Sequence, residues 1–437
     1  MKMFKYTRFI LVLLVAVALV GLIQVGAAEK KVKISFMHHW TGTDPKAKTF
    51  EPALKAFQAK NPDIELEVIA NPGAKAETRI KLPIAFSAGA APDVFLFDGG
   101  LNLEPYVRAG KIADLTILVK EDRELKSKFM PGTMDLVTYG GKLYGLPLEF
   151  WTEHIFVNTK IFKKYNLNLP KTYDEFREAV KTLKANSIIP ITFANKGGAQ
   201  GGFLFSIFLA ALSDADTLKN ACAGSKGVKF TDKPFVRTAE VLMELAKLGA
   251  YPQGVNALPR DIAVSFFNDE KAAMYVDGST AAGLIKLDMQ KDVALLPYPF
   301  FPGETPNSTA LIAFPANFIE VNAETAKDPA KFAAAIKLIK YLSSKEVVRP
   351  MIERSGHISP VLNVWFNQTK LPPLQTAILK TLKAAKDMRW HFNTSIYPTV
   401  YTKVNDALAN MFDGIGTPES NMKMVQEKLD QVMAETK

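Results

Sequence analysis

Between residues 32 and 97 the hydrophobic pattern switches repeatedly between two periods, and this limits the possible folds more than any other feature. Residues 32–36 alternate apolar and polar side chains, which is typical of a half-buried strand. Phe50, Leu54 and Phe57 then follow at helical spacing. The order strand, helix, strand repeats in the segments 64–69, 78–87 and 93–97. Strands that alternate with helices at such short intervals predict an α/β lobe with largely parallel strands.

The rest of the chain continues in the same style. An extended run covers residues 144–158, and a helix is predicted to begin after Thr172, which can form a capping box with Glu175. Further helices are predicted to begin near Asp328 and near Thr417. The 437 residues are enough for roughly two or three domains, and no fixed repeat or low-complexity linker separates them. If the chain forms two lobes, it therefore passes between them inside ordered structure.

A secretory signal peptide is predicted over residues 1–28. Three basic residues come first, the apolar run 9–23 follows, and small residues at 26–28 precede Glu29. An uncleaved membrane anchor is the alternative, but a run of about fifteen apolar residues is shorter than the ~20 that a spanning helix needs. No cysteine lies near the cleavage site, so a lipid anchor is not expected. The mature protein is expected to be exported and periplasmic.

The charge of the chain does not favour a nucleic-acid partner. Removing the signal peptide takes away three basic residues and no acidic one, so the formal net charge falls from +10 to +7. Nucleic-acid-binding proteins concentrate Lys and Arg together with aromatic residues. The basic stripe of this chain is expected instead to be the solvated face of a helix, and it consists of Lys380, Lys383, Lys386 and Arg389.

Metal ions, cofactors and catalytic groups are not predicted either. The single cysteine, Cys222, cannot complete a multi-cysteine zinc site and is expected to be a buried apolar residue. His38 and His39 are neighbours on a strand, so they would converge on a metal ion only if the chain turns there. The sequence has no G-x-S-x-G motif, and no spacing isolates an acid/base pair. We therefore expect a binding protein that needs neither metal nor cofactor.

The tryptophans point to a class of ligand. All four, Trp40, Trp151, Trp365 and Trp390, have polar neighbours in the sequence, and Trp151 lies between Glu149 and Glu153. A sugar ring has apolar C–H faces and a rim of hydroxyl groups, so its site needs flat aromatic rings and polar partners. The alternative for each tryptophan is a half-buried core residue whose indole N–H has found an acceptor.

Several motifs occur in a characteristic order along nearly the whole mature chain. They are APDV at 91–94, GKLYGLP at 141–147, VNTKIF at 157–162, PKTYDEF at 170–176, FFN at 266–268, AMYVDGS at 273–279, and Gly414 followed by TPE at 417–419. In this order and spacing they resemble the extracellular solute-binding proteins, family 1, of bacterial ABC sugar importers, which include proteins similar to maltose-binding protein.

The resemblance implies an α/β fold of the periplasmic binding protein-like II type, with two α/β lobes, a ligand cleft between them and a hinge. It places the N-terminal lobe at residues 29–145 plus 310–350 and the C-terminal lobe at 146–309 plus 351–437. A solute that makes extra contacts in the closed form shifts the hinge equilibrium towards closure. The resemblance also implies a monomer that delivers its solute to the permease subunits of the transporter.

The resemblance further implies a set of ligand contacts, transferred where the motifs align. Trp151 is expected to stack on the solute while the carboxylates of Glu149 and Glu153 bind its hydroxyl groups. Thr280 occupies the position of a stacking tryptophan in many members, so stacking must come from Trp40, Trp151 or Trp390, or the solute is atypical. The full set is His39, Trp40, Thr41, Asp98, Trp151, Asp277, Gly278, Trp390, Tyr397 and Tyr401.

Three classes of function stay open at this point. The first is the sugar-binding component of an ABC importer, and the second is the same fold with another solute, such as a polyol phosphate or a peptide. An anionic solute would require a charge partner in the cleft, for which Arg354 and Arg389 are the candidates. The third class, an exported enzyme, lacks any catalytic constellation in the sequence. We expect the first.

Overall fold

The computed structural model describes most of the mature chain. It covers residues 31–435, apart from 43, 72–73, 305–309 and 393–395. The predicted signal peptide lies outside the described residues. None of the described helices combines the length and the hydropathy that a bilayer crossing requires.

The described strands form a nine-stranded sheet and a small hairpin. The strands are β1 Val32–His38, β2 Ile64–Ala70, β3 Val94–Phe97, β4 Thr138–Tyr139, β5 Lys142–Leu143, β6 Gly145–Asn158, β7 Ile189–Thr192, β8 Ala272–Gly278, β9 Val293–Leu296, β10 Ala310–Val321 and β11 Asp387–Arg389. The order in the large sheet is β2-β1-β3-β10-β6-β8-β7, with β9 beside β6 and β11 beside β10, while β4 and β5 form the hairpin. β1 is parallel to both β2 and β3, which confirms the parallel pairing predicted for the start of the chain.

The helices cover the faces of the sheet and fill the segments between its strands. They are α1 Ala47–Lys60, α2 Ala74–Ser87, α3 Glu104–Arg108, α4 Thr116–Glu121, α5 Thr159–Lys164, α6 Tyr173–Ala185, α7 Ala199–Leu212, α8 Thr217–Cys222, α9 Lys233–Lys247, α10 Arg260–Asn268, α11 Pro329–Leu342, α12 Lys345–Ser355, α13 Pro373–Ala384, α14 Pro398–Asp413 and α15 Pro418–Glu435. The capping box of Thr172 and Glu175 is present at the start of α6, as predicted. Asp328 caps α11, also as predicted, by accepting the amide of Ala330 at 2.9 Å.

Two long antiparallel strands carry the chain between two packed units. β10 pairs with β3 through residues 318–321 and with β6 on its other side. Beyond the crossing, β6 pairs with β8 through residues 153–157. β6 and β10 therefore belong to both halves of the sheet, and a hinge between the halves has to act through them.

Two hydrophobic clusters define the two lobes. Along β6, Leu148 belongs to the first cluster and Phe150 to the second. Along β10, Ala316 belongs to the second cluster and Phe318 to the first. A third connection leaves the first cluster after Met351 of α12 and enters the second at Ile358. We propose that the boundaries between the two lobes lie at these crossings.

One predicted surface feature is correct only in part. Lys380 and Lys383 of the basic stripe lie exposed on α13, as predicted, but α13 ends at Ala384 and Arg389 lies in β11. Arg389 is buried, and its Nε is 3.1 Å from a carboxylate oxygen of Asp387. The physical reason is that Asp387 neutralises the guanidinium, and the strand pairing with β10 brings both residues into the second lobe.

Two buried histidines predict how stability depends on pH. Burial lowers the pKa of His38 to about 4 and that of His154 to about 3. Below pH 6.5 the unfolded chain therefore binds protons that the folded chain does not, so the folded state loses stability as the pH falls. Between pH 6.5 and 5 we expect the free energy of unfolding to fall by up to about 1.4 kcal/mol per pH unit for each histidine.

Urea titrations at a series of pH values measure this slope. The double variant His38→Asn and His154→Asn should have a shallower slope over the same range, whatever its absolute stability. An equal slope in the variant and the wild-type protein would contradict the assignment.

Candidate functional site

Trp151 lies on β6, just past the point where the strand leaves the first lobe. Its indole packs directly on Gly278 at the end of β8, because a Cβ atom at residue 278 would lie 1.8 Å from Cζ2 of the ring. The ring of Phe203 lies 6.0 Å from the indole, centroid to centroid. Trp151 is half-buried, and its buried Nε1 has no hydrogen-bond partner among the described residues. The structure thus brings together two predicted contacts and fixes an indole N–H donor between the lobes.

Lys46 connects Trp151 to the first lobe. The side chain lies at the start of α1, is only 2% exposed, and places its ammonium nitrogen 2.8 Å from Oε1 of Glu149. The same nitrogen lies 4.8 Å from the ring centroid of Trp40 and 5.9 Å from that of Trp151. Both distances suit a cation–π interaction. One buried cation therefore contacts the first lobe, the crossing strand and the tryptophan of the second lobe.

Glu149 is the buried anion of this cluster. The amide of Asn317 on β10 donates to its other oxygen, and Nδ1 of His357 lies 3.7 Å away on the third connection. Burial by itself would raise the pKa of Glu149. Lys46 and His357 lower this pKa by more than burial raises it, so the net shift is downward. Binding of solute hydroxyl groups by this carboxylate, predicted from the sequence, is not what the structure shows, because protein groups already engage it.

Glu153 is turned inward in the same way. It is fully buried, and Nδ1 of His391 lies 3.0 Å from its Oε1. Burial raises the pKa of Glu153; His391 opposes this shift and Asp277 adds to it. The two carboxylates that flank Trp151 in sequence thus lie in the protein interior, so we expect the hydroxyl groups of a solute to bind other side chains.

Asp277 is predicted to contact the solute, but in the structure it orients an arginine. Its carboxylate accepts Nε of Arg260 at 2.8 Å and Nη2 at 3.1 Å, as well as the amide of Gly278 at 2.7 Å. Arg260 Nη2 also donates to Oγ1 of Thr280 at 2.9 Å. Asp277 is fully buried, whereas the side chain of Arg260 is 30% exposed. The group presented towards solvent here is therefore Arg260. Thr280, which occupies the position of the tryptophan found in many members, helps to hold the guanidinium in place.

Arg79, which the sequence analysis did not single out, contacts both Asp98 and Tyr401, two of the predicted solute contacts. Nε of Arg79 lies 2.6 Å from Oδ2 of Asp98, at the end of β3 in the first lobe. The guanidinium carbon of Arg79 lies 5.4 Å from the ring centroid of Tyr401, on α14 of the second lobe. Arg79 thus joins the two lobes at this end of the cleft.

The loop after β1 turns sharply, as His39 and Thr41 show. The amide of Thr41 donates to the carbonyl of His39 at 3.0 Å, and the imidazole of His39 lies 6.2 Å from the indole of Trp40. Trp40 is buried edge-to-face against Phe50 at 4.8 Å, yet its Nε1 has no partner among the described residues. Trp40 therefore offers an N–H group near Lys46 rather than an open ring face.

The remaining predicted contacts, Trp390 and Tyr397, have other neighbours. Trp390 follows β11, has the ammonium of Lys219 5.4 Å from its ring centroid, and lines a cavity of about 120 Å³ beside α7 and α8. Burial raises the pKa of Tyr397, the charge of Glu104 on α3 raises it further, and Arg108 of the same helix opposes the shift. The structure does not bring Trp390 into the group around Trp151.

Three cations of this region, Lys46, Arg79 and Arg260, were not identified from the sequence. The two arginines named as candidate anion partners lie elsewhere: Arg389 is paired with Asp387, and Arg354 lines a groove on the outer side of α12. Across the described part of the chain, no group of three or more potential metal ligands occurs.

A family model agrees with this architecture. The model described as bacterial extracellular solute-binding protein matches residues 41–349. The chain belongs to this family. Members are extracellular proteins that bind solutes, and the two lobes with a polar and aromatic cleft provide the structure for that role.

Individual relatives are distant but cover most of the chain. An uncharacterized ABC transporter extracellular-binding protein of Pyrococcus horikoshii is 26% identical over 281 residues, which is 62% of either protein and so less than two thirds of the relative's length. The multiple sugar-binding protein of Streptococcus mutans is 24% identical over 359 residues, or 79% of either protein. The sn-glycerol-3-phosphate-binding periplasmic protein UgpB of Brucella melitensis is 25% identical over 299 residues, or 65% of either protein.

Solved structures share the whole fold. A protein from work on xylan utilization by Caldanaerobius polysaccharolyticus superposes with a TM-score of 0.81 at 25% identity, covering 91% of this chain and 100% of that one. A chitin oligosaccharide binding protein superposes with a TM-score of 0.83 at 21% identity, covering 92% and 100%. These likenesses confirm the predicted two-lobed α/β fold.

Proposed function

We propose that this member of the family captures a neutral sugar or oligosaccharide between its lobes and delivers it to the permease subunits of an ABC importer. The protein is exported by its signal peptide, acts in the periplasm as a monomer, and binds its solute without chemical turnover. Its solute-contact residues are drawn from the cleft set predicted from the sequence, together with Arg260 and Arg79.

The charge pattern of the cleft is the observation that carries this proposal. Each of the three cations placed there has a buried carboxylate partner: Lys46 pairs with Glu149, Arg79 with Asp98, and Arg260 with Asp277. An anionic solute would have to compete with a carboxylate for its cation, at a high desolvation cost. A neutral solute with many hydroxyl groups requires no uncompensated charge.

The aromatic groups of the cleft suit the same solute. The half-buried ring of Trp151 offers apolar surface to the C–H face of a sugar. The indole N–H groups of Trp40 and Trp151 are buried donors without partners among the described residues, so hydroxyl oxygens of a solute would satisfy them. The guanidinium of Arg260, held in place by Asp277 and Thr280, adds a preorganised donor at the rim.

A phosphorylated polyol is the second candidate. The similarity to UgpB, whose name describes binding of sn-glycerol 3-phosphate, supports it, and so does the presence of Arg79 and Arg260. Both guanidinium groups are paired with buried carboxylates, however, so a phosphate would meet a cleft that is close to electrically neutral. The paired cations therefore favour the neutral sugar.

A fluorescence titration tests the proposal directly. Purified mature protein is titrated with neutral mono- and oligosaccharides, with sn-glycerol 3-phosphate and with short peptides, and tryptophan emission is followed. We expect saturation with at least one neutral sugar, and chromatography of the incubated mixture should return that sugar unchanged. Saturation only with the phosphorylated compound or with a peptide, or release of a smaller sugar in proportion to protein, would refute the proposal.

A further inference from the structure

The segment 44–46 of the first lobe lies against the second lobe and the crossing strand. Its own backbone is ordered by hydrogen bonds: the amide of Lys46 donates to Oδ1 of Asp44 at 2.8 Å, and the amide of Ala47 donates to the carbonyl of Asp44 at 3.0 Å. The turn is thus held in one shape at the start of α1.

Pro45, the middle residue, meets a glycine of the opposite lobe. Gly283 ends the short 3₁₀ helix 279–283, whose residues Ala281 and Ala282 belong to the second hydrophobic cluster. A Cβ atom at residue 283 would lie 2.8 Å from Cβ of Pro45 and 3.4 Å from the carbonyl oxygen of Ser355. Gly283 does not have a positive φ, so the local backbone would accept a side chain. It is the neighbouring lobe that leaves no room for one.

Lys46, the last residue of the segment, forms polar contacts across the same boundary. Lys46 bonds Glu149 on the crossing strand and lies near the ring of Trp151, as described above. Oδ2 of Asp44 lies 3.8 Å from the ammonium nitrogen of Lys46, so Asp44 helps to hold the lysine in place. Pro45 and Lys46 therefore contact groups beyond the first lobe, and both contacts are between protein groups.

We propose that the segment 44–46 is a closing contact, by which the first lobe docks on the second without any contribution from solute. Its residues are positioning residues. They raise the fraction of molecules in the closed, binding-competent form, and the apparent dissociation constant falls in proportion to that fraction. The contact between Pro45 and Gly283 then contributes to the affinity for the solute, although neither residue has to touch the solute.

A pair of engineered cysteines tests the contact without solute. The double variant Pro45→Cys and Gly283→Cys places two Cβ atoms at a separation that a small movement brings into the range of a disulfide, about 3.5–4.5 Å. The native Cys222 is buried in the second lobe and does not compete. Oxidised glutathione accepts the two electrons and is reduced to two molecules of glutathione, while the intact protein loses two hydrogens, which mass spectrometry detects.

We expect most of the solute-free double variant to cross-link, whereas either single variant yields no internal disulfide. A thiol reagent should modify both single variants at similar rates, which shows that both positions are accessible. If both sites react but the double variant does not cross-link in the absence of solute, the inference is overturned. This part depends on no solute, so it stands or falls separately from the proposed function.

A second pair of variants links the contact to affinity and rests on the proposed function. Gly283→Val inserts a wedge against Pro45, and we expect the dissociation constant of the best-bound sugar to rise about tenfold. Adding Pro45→Gly removes the opposing ring and should restore most of the affinity. Unchanged affinity in Gly283→Val, or failure of Pro45→Gly to restore it, would show that the contact does not control closure.

Discussion

Replacing Lys46 with methionine is expected to lower the free energy of unfolding by about 3–5 kcal/mol, because it leaves the buried carboxylate of Glu149 without its cation. Lys46 is 2% exposed and Glu149 is fully buried, so water cannot take the place of the ammonium group. Methionine retains most of the length of the side chain. Urea unfolding at pH 7, followed by circular dichroism, measures the difference.

Lys340→Met is the matched control for this experiment. Lys340 pairs with Glu121 at 3.0 Å, but both side chains are about half exposed, so the variant should lose less than about 1 kcal/mol. Adding Glu149→Gln to Lys46→Met removes the buried charge and should recover part of the lost stability. A Lys46→Met protein as stable as the control would contradict the buried ion pair.

Replacing Trp151 with alanine is expected to weaken sugar binding by about thirtyfold, or about 2 kcal/mol, because the cleft loses its half-buried aromatic platform. The variant also loses the packing of the indole on Gly278, so its melting temperature should fall as well. Titration calorimetry on the folded fraction separates the two effects. Trp151 belongs to the cleft only if the affinity of the folded protein falls.

Trp365→Ala is the control for the loss of a tryptophan. Trp365 is 69% exposed and stacks on Arg349 at 4.5 Å, outside the set of cleft residues. Its replacement should leave affinity and stability close to those of the wild-type protein. Unchanged affinity in a well-folded Trp151→Ala protein would remove Trp151 from the site.

The fold was largely predictable from the sequence because its signals are local. The alternation of strand and helix patterns located β1, α1, β2 and β3, and the cap of α6 requires only Thr172 and Glu175, three residues apart. The predicted solvated helix face does not extend to Arg389. Asp387 and the pairing of β11 with β10, rather than helical spacing, decide where this residue lies.

The site was predictable only where family motifs marked it. Trp151 and Gly278 were named on that basis and do touch, but no local pattern indicates that Lys46 pairs with Glu149, 103 residues further along the chain. For the same reason the carboxylates beside Trp151 were assigned to solute. Their partners come from distant segments that only the folded chain brings close, and a buried ion pair leaves no periodic signal in a sequence.

Solution X-ray scattering, with and without the best-bound neutral sugar, tests the central claim most directly. If one neutral solute is enclosed between the lobes, the radius of gyration should fall as sugar is added and level off at one sugar per protein, because binding favours the closed form. sn-Glycerol 3-phosphate at the same concentration should leave the scattering unchanged. A radius of gyration that stays constant at saturating sugar, or that falls only with the phosphorylated compound, would contradict the account.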